Sequence, residues 1–431
     1  MGKYFGTDGI RGVAGEELTA RTAFALGNAI CRLKGKARVV VGRDPRTSSD
    51  MLALALSAGI TAGGGEVLDG GVMPTAAVAY FVRQLCADFG VMISASHNPP
   101  EFNGLKVFDA QGCKLSERQE ERAEHWFEEY AFAGALQCGR INRIKRRGAY
   151  AEYLAGCAQA DLAGKTIVLD CANGAAGVIA PRVFRMLGAK VYSFGCRQDG
   201  RHINENCGAL HPERMQRAVV ESRADAGFCY DGDADRLIAV DERGEIADGD
   251  KILCILAQEL KREGELKGDI VVGTAHTNTG VERYLRERGI ALERTDIGDK
   301  YVSAHMRKRG AAIGGEQSGH IILARYATTG DGILTSIKLA ELLRGGALSE
   351  LARVKLLPQY NVSVKVADKV RVLGNEYVRG VIAKESETVD RLVVRASGTE
   401  PVIRIFAEAE TMAQAKGAAE RVRRAILRAE G

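Results

Sequence analysis

Runs of apolar residues the length of a strand recur along the chain, each followed by small or polar turn residues and then a stretch of helical character. Arg38-Val39-Val40-Val41-Gly42 reads as a buried strand, with Asp50 placed to cap an apolar helix through Met51–Ile60. A strand over Glu66–Leu68, a helix after Pro74 and a strand over Val91–Ser94 continue a β-α-β pattern. A charged helix around Ser116–Tyr130 leads into a basic, uneven stretch near residues 140–148, which marks a first boundary. The pattern returns at Lys165–Asp170, followed by Cys171-Ala172-Asn173-Gly174, and at Asp269–Gly273, followed by Thr274–Gly280. From Pro358 the texture changes to alternation over Tyr360–Val366, two further strand-like runs and a long C-terminal helix. The expected architecture is an α/β chain of four domains. Three related α/β domains span residues 1–148, 149–247 and 248–357, and a smaller α+β domain spans 358–431.

Length supports the division, because 431 residues are too many for a single core. A net charge of +5 suits anionic small molecules, but no basic stripe with interleaved aromatics points to nucleic acid. The clusters Arg143–Arg147 and Arg421–Arg424 read as solvated surface. Ten cysteines without a C-x-x-C pair fit a reducing compartment. No apolar run approaches the ~18 residues of a membrane span, and residues 1–8 lack the apolar core of a signal peptide. A cytoplasmic protein with no membrane partner is expected.

Four stretches carry candidate chemistry. The strand at Val91 ends in Ser94-Ala95-Ser96-His97-Asn98-Pro99-Pro100, and the prolines force the chain out of the sheet. That leaves the Ser96 hydroxyl at a strand's carboxyl end, where open α/β sheets place ligands. Lys106 returns toward the same place, and an ordinary polar loop is the competing reading. Asp231, Asp233 and Asp235 follow the strand Ala226–Tyr230 and repel one another unless a cation joins them; oxygen-only ligands favour Mg²⁺, and a solvated acidic turn is the competing reading. Gly314–His320 offers Glu316, Ser318 and His320 on a close-approaching backbone, a set suited to sugar hydroxyls or to a tight turn alone. Arg395-Ala396-Ser397-Gly398-Thr399-Glu400-Pro401, with Arg404, suits an anion nest. The glycine-rich Gly6–Gly12 adds Arg11. Two other motifs fail: Gly164-Lys165-Thr166 lacks the first glycine of a phosphate-binding P-loop, and the aspartate trio has Arg236 where an EF-hand needs glycine.

Taken together, these segments resemble the α-D-phosphohexomutases over essentially the whole chain. Lys3–Gly12, Gly315–His320, Asn206-Cys207-Gly208 and His211-Pro212-Glu213 are most similar to the branch that acts on glucosamine phosphates. The resemblance implies four domains around a central cleft and exchange of phosphate between C1 and C6 of a sugar. Ser96 would be the phosphoserine, and Mg²⁺ would bind its phosphate with Asp231, Asp233 and Asp235. Lys106 and Arg11 would transfer protons or orient phosphate, with His97 and His320 nearby. Arg236 would help neutralise the phosphoserine, Glu316 and Ser318 would read sugar hydroxyls, and Arg395, Ser397, Gly398, Thr399 and Arg404 would hold the non-reacting phosphate. The implied reaction joins glucosamine-6-phosphate and glucosamine-1-phosphate through glucosamine 1,6-bisphosphate, feeding UDP-N-acetylglucosamine and cell-wall precursor synthesis. Mannose or glucose phosphates are the alternative substrates, and a homodimer is compatible with the family. Ala234 and Leu105 vary from the family pattern without removing a ligand.

Overall fold

Strands made of Val, Ile and Leu with no polar alternation must be covered on both faces, and the chain meets that need with helix-flanked sheets in which such strands run parallel. The structure is a computed structural model that describes residues 3–6, 8–128, 137–146, 148–397 and 401–430. The first sheet contains β1 (Ile10–Val13), β2 (Arg38–Arg43), β3 (Glu66–Val72), β4 (Phe89–Ile93), β5 (Phe102–Phe108) and β6 (Arg140–Arg143), in the order β1-β5-β4-β2-β3-β6. β2 lies parallel to β3 and β4, whereas β5 runs antiparallel to both β4 and β1. The basic stretch expected to mark a boundary begins with an exposed edge strand: β6 pairs in parallel with β3, from Glu66↔Arg140 to Asp69↔Arg143.

Helices Ala20–Lys34 and Ser49–Ala62 approach until their backbones touch, because a Cβ on Gly59 would lie 2.0 Å from the Phe24 carbonyl oxygen. Asp50 does not cap the second of these helices. Its N-cap is Ser48, and Asp50 sits inside the first turn with its carboxylate paired to Arg43. The charged helix runs Glu117–Glu128; the expected end at residues 129 and 130 lies outside the described residues.

The second sheet contains β7 (Thr166–Asp170), β8 (Lys190–Phe194), β9 (Ala226–Tyr230), β10 (Leu237–Asp241) and β11 (Ile246–Ala247), ordered β11-β10-β9-β7-β8. The third contains β12 (Ile270–Thr274), β13 (Ala291–Thr295), β14 (Ile313–Gly315) and β15 (Ile321–Leu323), ordered β13-β12-β14-β15. The fourth is antiparallel throughout: β16 (Gln359–Lys365), β17 (Arg391–Ala396) and β18 (Val402–Glu408), ordered β16-β18-β17. Helix Met412–Glu430 buries Ala415, Ala419, Val422 and Ile426, one stripe at helical spacing, in the hydrophobic core that this sheet shares.

Two compact units result. Met1–His276 with Ile290–Arg353 holds the first three sheets; Thr277–Gly289 with Val354–Gly431 holds the fourth. Helix Thr279–Glu287, between β12 and β13 in sequence, thus belongs with the C-terminal sheet. Asn278 ties it there, donating to the Leu357 carbonyl and accepting the Leu357 N–H, both at 2.9 Å. Among the described residues no helix is long and apolar enough to cross a membrane.

Candidate active site

All five residues of β4 are buried, and its end delivers Ser94-Ala95-Ser96 to the interior. Ser94 Oγ donates to Asp44 at 2.6 Å and accepts the Ser96 N–H at 2.8 Å. Ser96 has φ of 55°, a left-handed conformation that a non-glycine residue holds only when its surroundings enforce it. Its hydroxyl donates to Asp231 Oδ2 at 2.5 Å, and His97 Nδ1 lies 3.4 Å from the same oxygen.

The turn from β9 to β10 buries Asp231, Asp233 and Asp235, one ligand atom of each lying within 4.8 Å of the others. β5 carries Lys106 into this set, its ammonium 2.8 Å from Asp233 and 2.9 Å from Asp235, with Asp8 at 3.3 Å. Thr75 adds a hydroxyl donated to Asp233 at 2.6 Å. Burial opposes charge on Lys106, but Asp233, Asp235 and Asp8 outweigh it and hold the pKa well above the ordinary value. Burial likewise opposes charge on Asp235, where Lys106 and His320 prevail and hold the carboxyl well below its usual range. Asp231 is left over: burial, then Asp235 and Asp233, push its pKa well up. Lys106 thus reaches two of the three carboxylates, while Asp231 takes the Ser96 hydroxyl and the Arg236 N–H. Asp233 Oδ1 and Asp235 Oδ1 are moreover buried without a hydrogen-bond partner. An oxygen-only donor set with excess negative charge and spare buried oxygens fits a hard divalent cation.

Further groups from three sheets close around this centre. Arg11 donates to the Ala95 carbonyl at 3.2 Å and the Asn98 side chain at 3.3 Å, and pairs with Asp8. Lys114 bridges Asp8 and Asp299, and His320 stands 3.7 Å from Asp235 and 3.4 Å from Asp299. Burial disfavours a charge on His320, yet Asp235 and Asp299 raise its pKa overall, and the Gly330 N–H lies 3.0 Å from its Nε2. For His97, burial together with Arg236 and Arg11 lowers the pKa to about 4, so its ring is neutral near pH 7. Glu316 and Ser318 occupy the turn between β14 and β15, closed by the Gly319 N–H on the Glu316 carbonyl at 2.9 Å. The Leu237 N–H donates to the Gly319 carbonyl at 3.0 Å, so this turn docks beside Arg236. Burial raises the Glu316 pKa, against the pull of His320 and Arg236.

Ser96, His97, Lys106, Arg11, Asp231, Asp233, Asp235, Arg236, Glu316, Ser318 and His320 all lie in the larger unit. Arg395, Ser397 and Arg404 belong to the C-terminal unit, and Gly398 and Thr399 lie outside the described residues. Arg395 and Arg404 are exposed and directly opposite on β17 and β18. Like charges so placed repel, and an anion between them removes the penalty. The Ser397 N–H donates to the Val402 carbonyl at 2.9 Å, and Lys369 donates to the Ser397 carbonyl at 2.6 Å.

Sequence reasoning missed Asp8, Asp44, Arg46, Thr75, Lys114, Asn204 and Asp299. Asp8 sits inside the noted glycine-rich stretch, so position alone marked it. Nothing local marks Lys114 or Asp299, whose roles come from partners 106 and 185 residues away.

Known proteins similar to this chain give its family. Four phosphoglucomutase/phosphomannomutase domain models match in order: alpha/beta/alpha domain I over residues 2–134, domain II over 148–244, domain III over 248–357, and the C-terminal domain over 361–425. Phosphoglucosamine mutase of Caldicellulosiruptor saccharolyticus is 47% identical, covering 96% of this chain and 97% of its own. That of Staphylococcus aureus is 43% identical, covering 98% and 97%. Among solved structures, a phosphoglucomutase/phosphomannomutase family protein from Burkholderia thailandensis superposes with a TM-score of 0.83 at 26% identity, over 100% of this chain and 98% of its own. N-acetylphosphoglucosamine mutase of Aspergillus fumigatus, solved with GlcNAc-6P and magnesium, shares the fold with a TM-score of 0.71 at 19% identity, over 99% and 96%. With every domain matched in sequence order and relatives aligned nearly end to end, the chain belongs to the phosphoglucomutase/phosphomannomutase family.

Proposed function

We propose that this chain interconverts glucosamine-6-phosphate and glucosamine-1-phosphate, with Ser96 carrying the transferable phosphoryl group and glucosamine 1,6-bisphosphate as intermediate. The observation that carries the reading is the buried Ser96 hydroxyl, 2.5 Å from Asp231 in a three-carboxylate cluster, in a chain similar end to end to phosphoglucosamine mutases. In the first half-reaction the bond from phosphorus to Ser96 Oγ breaks as a bond to the free sugar hydroxyl oxygen forms, and the proton of that hydroxyl ends on Ser96 Oγ. In the second, the other phosphate of the bisphosphate returns to Ser96.

Asp231, Asp233 and Asp235, with an oxygen of phospho-Ser96, would hold Mg²⁺, which when bound supplies charge neutralisation at the phosphoryl oxygens. Lys106, kept protonated by its carboxylates, serves as a fixed cation that orients phosphate rather than as a base. Arg11 and Arg236 add positive charge where a second anion must approach the phosphoserine. His97, neutral and beside Ser96 Oγ, orients that oxygen without adding charge. Glu316 and Ser318 read sugar hydroxyls from the β14–β15 turn, and His320 stands beside them. Arg395, Ser397, Gly398, Thr399 and Arg404 grip the phosphate that is not reacting, with the exposed arginine pair as the charged element.

Phosphorus NMR of the protein with glucosamine-6-phosphate, Mg²⁺ and a trace of bisphosphate tests the reading. Growth of a 1-phosphate resonance is expected, together with a phosphate mass increment on Ser96. Equal or higher kcat/KM with mannose or glucose phosphates would move the substrate to those sugars.

A further inference from the structure

Two carbonyl oxygens of the Ser96 loop are gripped twice. Arg46, whose side chain is wholly buried and paired with Asp44 at 2.9 Å, donates to the Ser96 carbonyl at 3.1 Å and the Asn98 carbonyl at 2.7 Å. Asn204 Nδ2 donates to the same two oxygens, at 2.9 and 3.0 Å. Arg46 lies between β2 and its following helix, whereas Asn204 comes from the loop between β8 and helix Glu213–Ser222, more than a hundred residues away. That loop includes Asn206-Cys207-Gly208, a segment noted in the sequence to which the chemistry above gives no task.

The loop is anchored at both sides of Asn204. Asn173 donates to the His202 carbonyl at 3.0 Å, the Asn204 N–H to the Ala172 carbonyl at 2.9 Å, and the Gly208 N–H to Asp170 at 2.7 Å. Asn204 itself has φ of 59°, a conformation that asparagine tolerates better than most residues. It also abuts the aspartate turn, since a Cβ on Gly232 would lie 2.6 Å from the Ser96 carbonyl oxygen and 3.2 Å from Asn204 Nδ2.

The Ser94 hydroxyl fixes the Ser96 N–H, and the double grip fixes the Ser96 carbonyl. Both peptide planes flanking Ser96 are thereby held, which is what a left-handed non-glycine residue requires in order to persist. We propose that Asn204 is a positioning residue for phosphoryl transfer, holding the Ser96 and Asn98 carbonyls so that Ser96 Oγ stays aimed at the carboxylate cluster. The inference rests on Ser96 being the phosphoryl carrier, but not on which sugar is the substrate.

Asn204→Gly removes the amide and keeps the left-handed backbone at no steric cost. Asn204→Asp keeps shape and backbone but turns an acceptor toward two carbonyl oxygens. Each variant is mixed with a hexose 1,6-bisphosphate and Mg²⁺, and the rate of phosphate appearance on Ser96 is followed by intact-protein mass. Steady-state kinetics with glucosamine-6-phosphate, Mn²⁺ affinity and Tm are measured alongside. The expected result is transfer and kcat slowed about 10- to 100-fold, the scale of a misplaced reacting group, with KM, Mn²⁺ affinity and Tm close to wild type. Wild-type transfer rates in both variants would overturn the assignment, as would a loss of transfer that follows a parallel fall in Tm and Mn²⁺ affinity. Absence of phosphate on Ser96 in the wild type itself would sink the phosphoserine reading and this inference with it. Wild-type transfer to Ser96 without turnover of glucosamine phosphates would remove only the substrate, leaving the Asn204 comparison decisive.

Discussion

Lys106 is a fully buried ammonium whose desolvation is offset by three carboxylates, two of them members of the cluster proposed to hold a metal. Removing one partner of a buried ion set costs about 3–5 kcal/mol, because the others remain charged and unpaired. Lys106→Met should therefore lower Tm sharply when measured in EDTA. Millimolar Mg²⁺ should then recover more stability in the variant than in the wild type, since a cation at Asp231, Asp233 and Asp235 replaces the missing charge. Differential scanning calorimetry with and without Mg²⁺ decides it. An equal response to Mg²⁺ in both proteins would place the metal elsewhere.

At the scale of elements, much of the site was readable because strand, turn and strand follow one another directly. The apolar run at Val91 and the prolines after Asn98 put Ser96 at a strand end, and the apolar run Ala226–Tyr230 did the same for the aspartates. Arg46, Asn204 and Lys114 were not readable, because each acts through carbonyls or carboxylates brought near only by the folded chain. β6 escaped notice since an exposed edge strand of basic residues has no apolar alternation to betray it. Asp50 looked like a cap from position alone, but Arg43 at the end of β2 takes its carboxylate.

A helix start also supplies a pH prediction. Asp331 caps helix Gly332–Leu342 through the Leu334 N–H at 3.0 Å and takes the Tyr150 hydroxyl. Burial pushes its pKa up to about 6 from 3.8, against the pull of those donors. The folded protein thus binds this proton more tightly than the unfolded chain does. Its contribution to stability is largest below about pH 4 and declines as pH rises to about 6, by at most about 3 kcal/mol. Asp331→Asn, which has no proton to lose, should gain Tm relative to wild type between pH 4 and 7. A Tm difference that stays constant across that range would mean the carboxyl does not titrate there. On the C-terminal sheet, Arg404→Ala should abolish most of the Tm increase produced by inorganic phosphate, at a cost of about 1.5–3 kcal/mol in binding. An undiminished increase would show that β17 and β18 do not form the anion grip.

For the molecule as a whole, four family domains in sequence resolve into two compact units, and the division does not fall at one point of the chain. The segment Thr277–Gly289 lies between strands of the third sheet but makes its hydrogen bonds in the smaller unit. The Thr279 N–H donates to Glu408 at 2.8 Å, and Arg283 pairs with Asp390 and Glu410. Asn278 is held at both ends of its amide by Leu357. A protein shortened to end at Arg353 would leave every one of these groups without its partner, although all the residues of the carboxylate cluster remain. Such a protein should retain Mn²⁺ binding that depends on Asp233, because the cluster and its Lys106, Thr75 and Ser96 neighbours all lie in the larger unit. It should lose mutase turnover with Arg395 and Arg404. Hydrogen exchange should show the amides of residues 277–289 losing protection selectively, while those of β4, β5 and β9 keep theirs. If protection in 277–289 survives the truncation, the helix Thr279–Glu287 is stabilised by the larger unit instead. If β4, β5 and β9 lose protection as well, the larger unit does not fold without the smaller one.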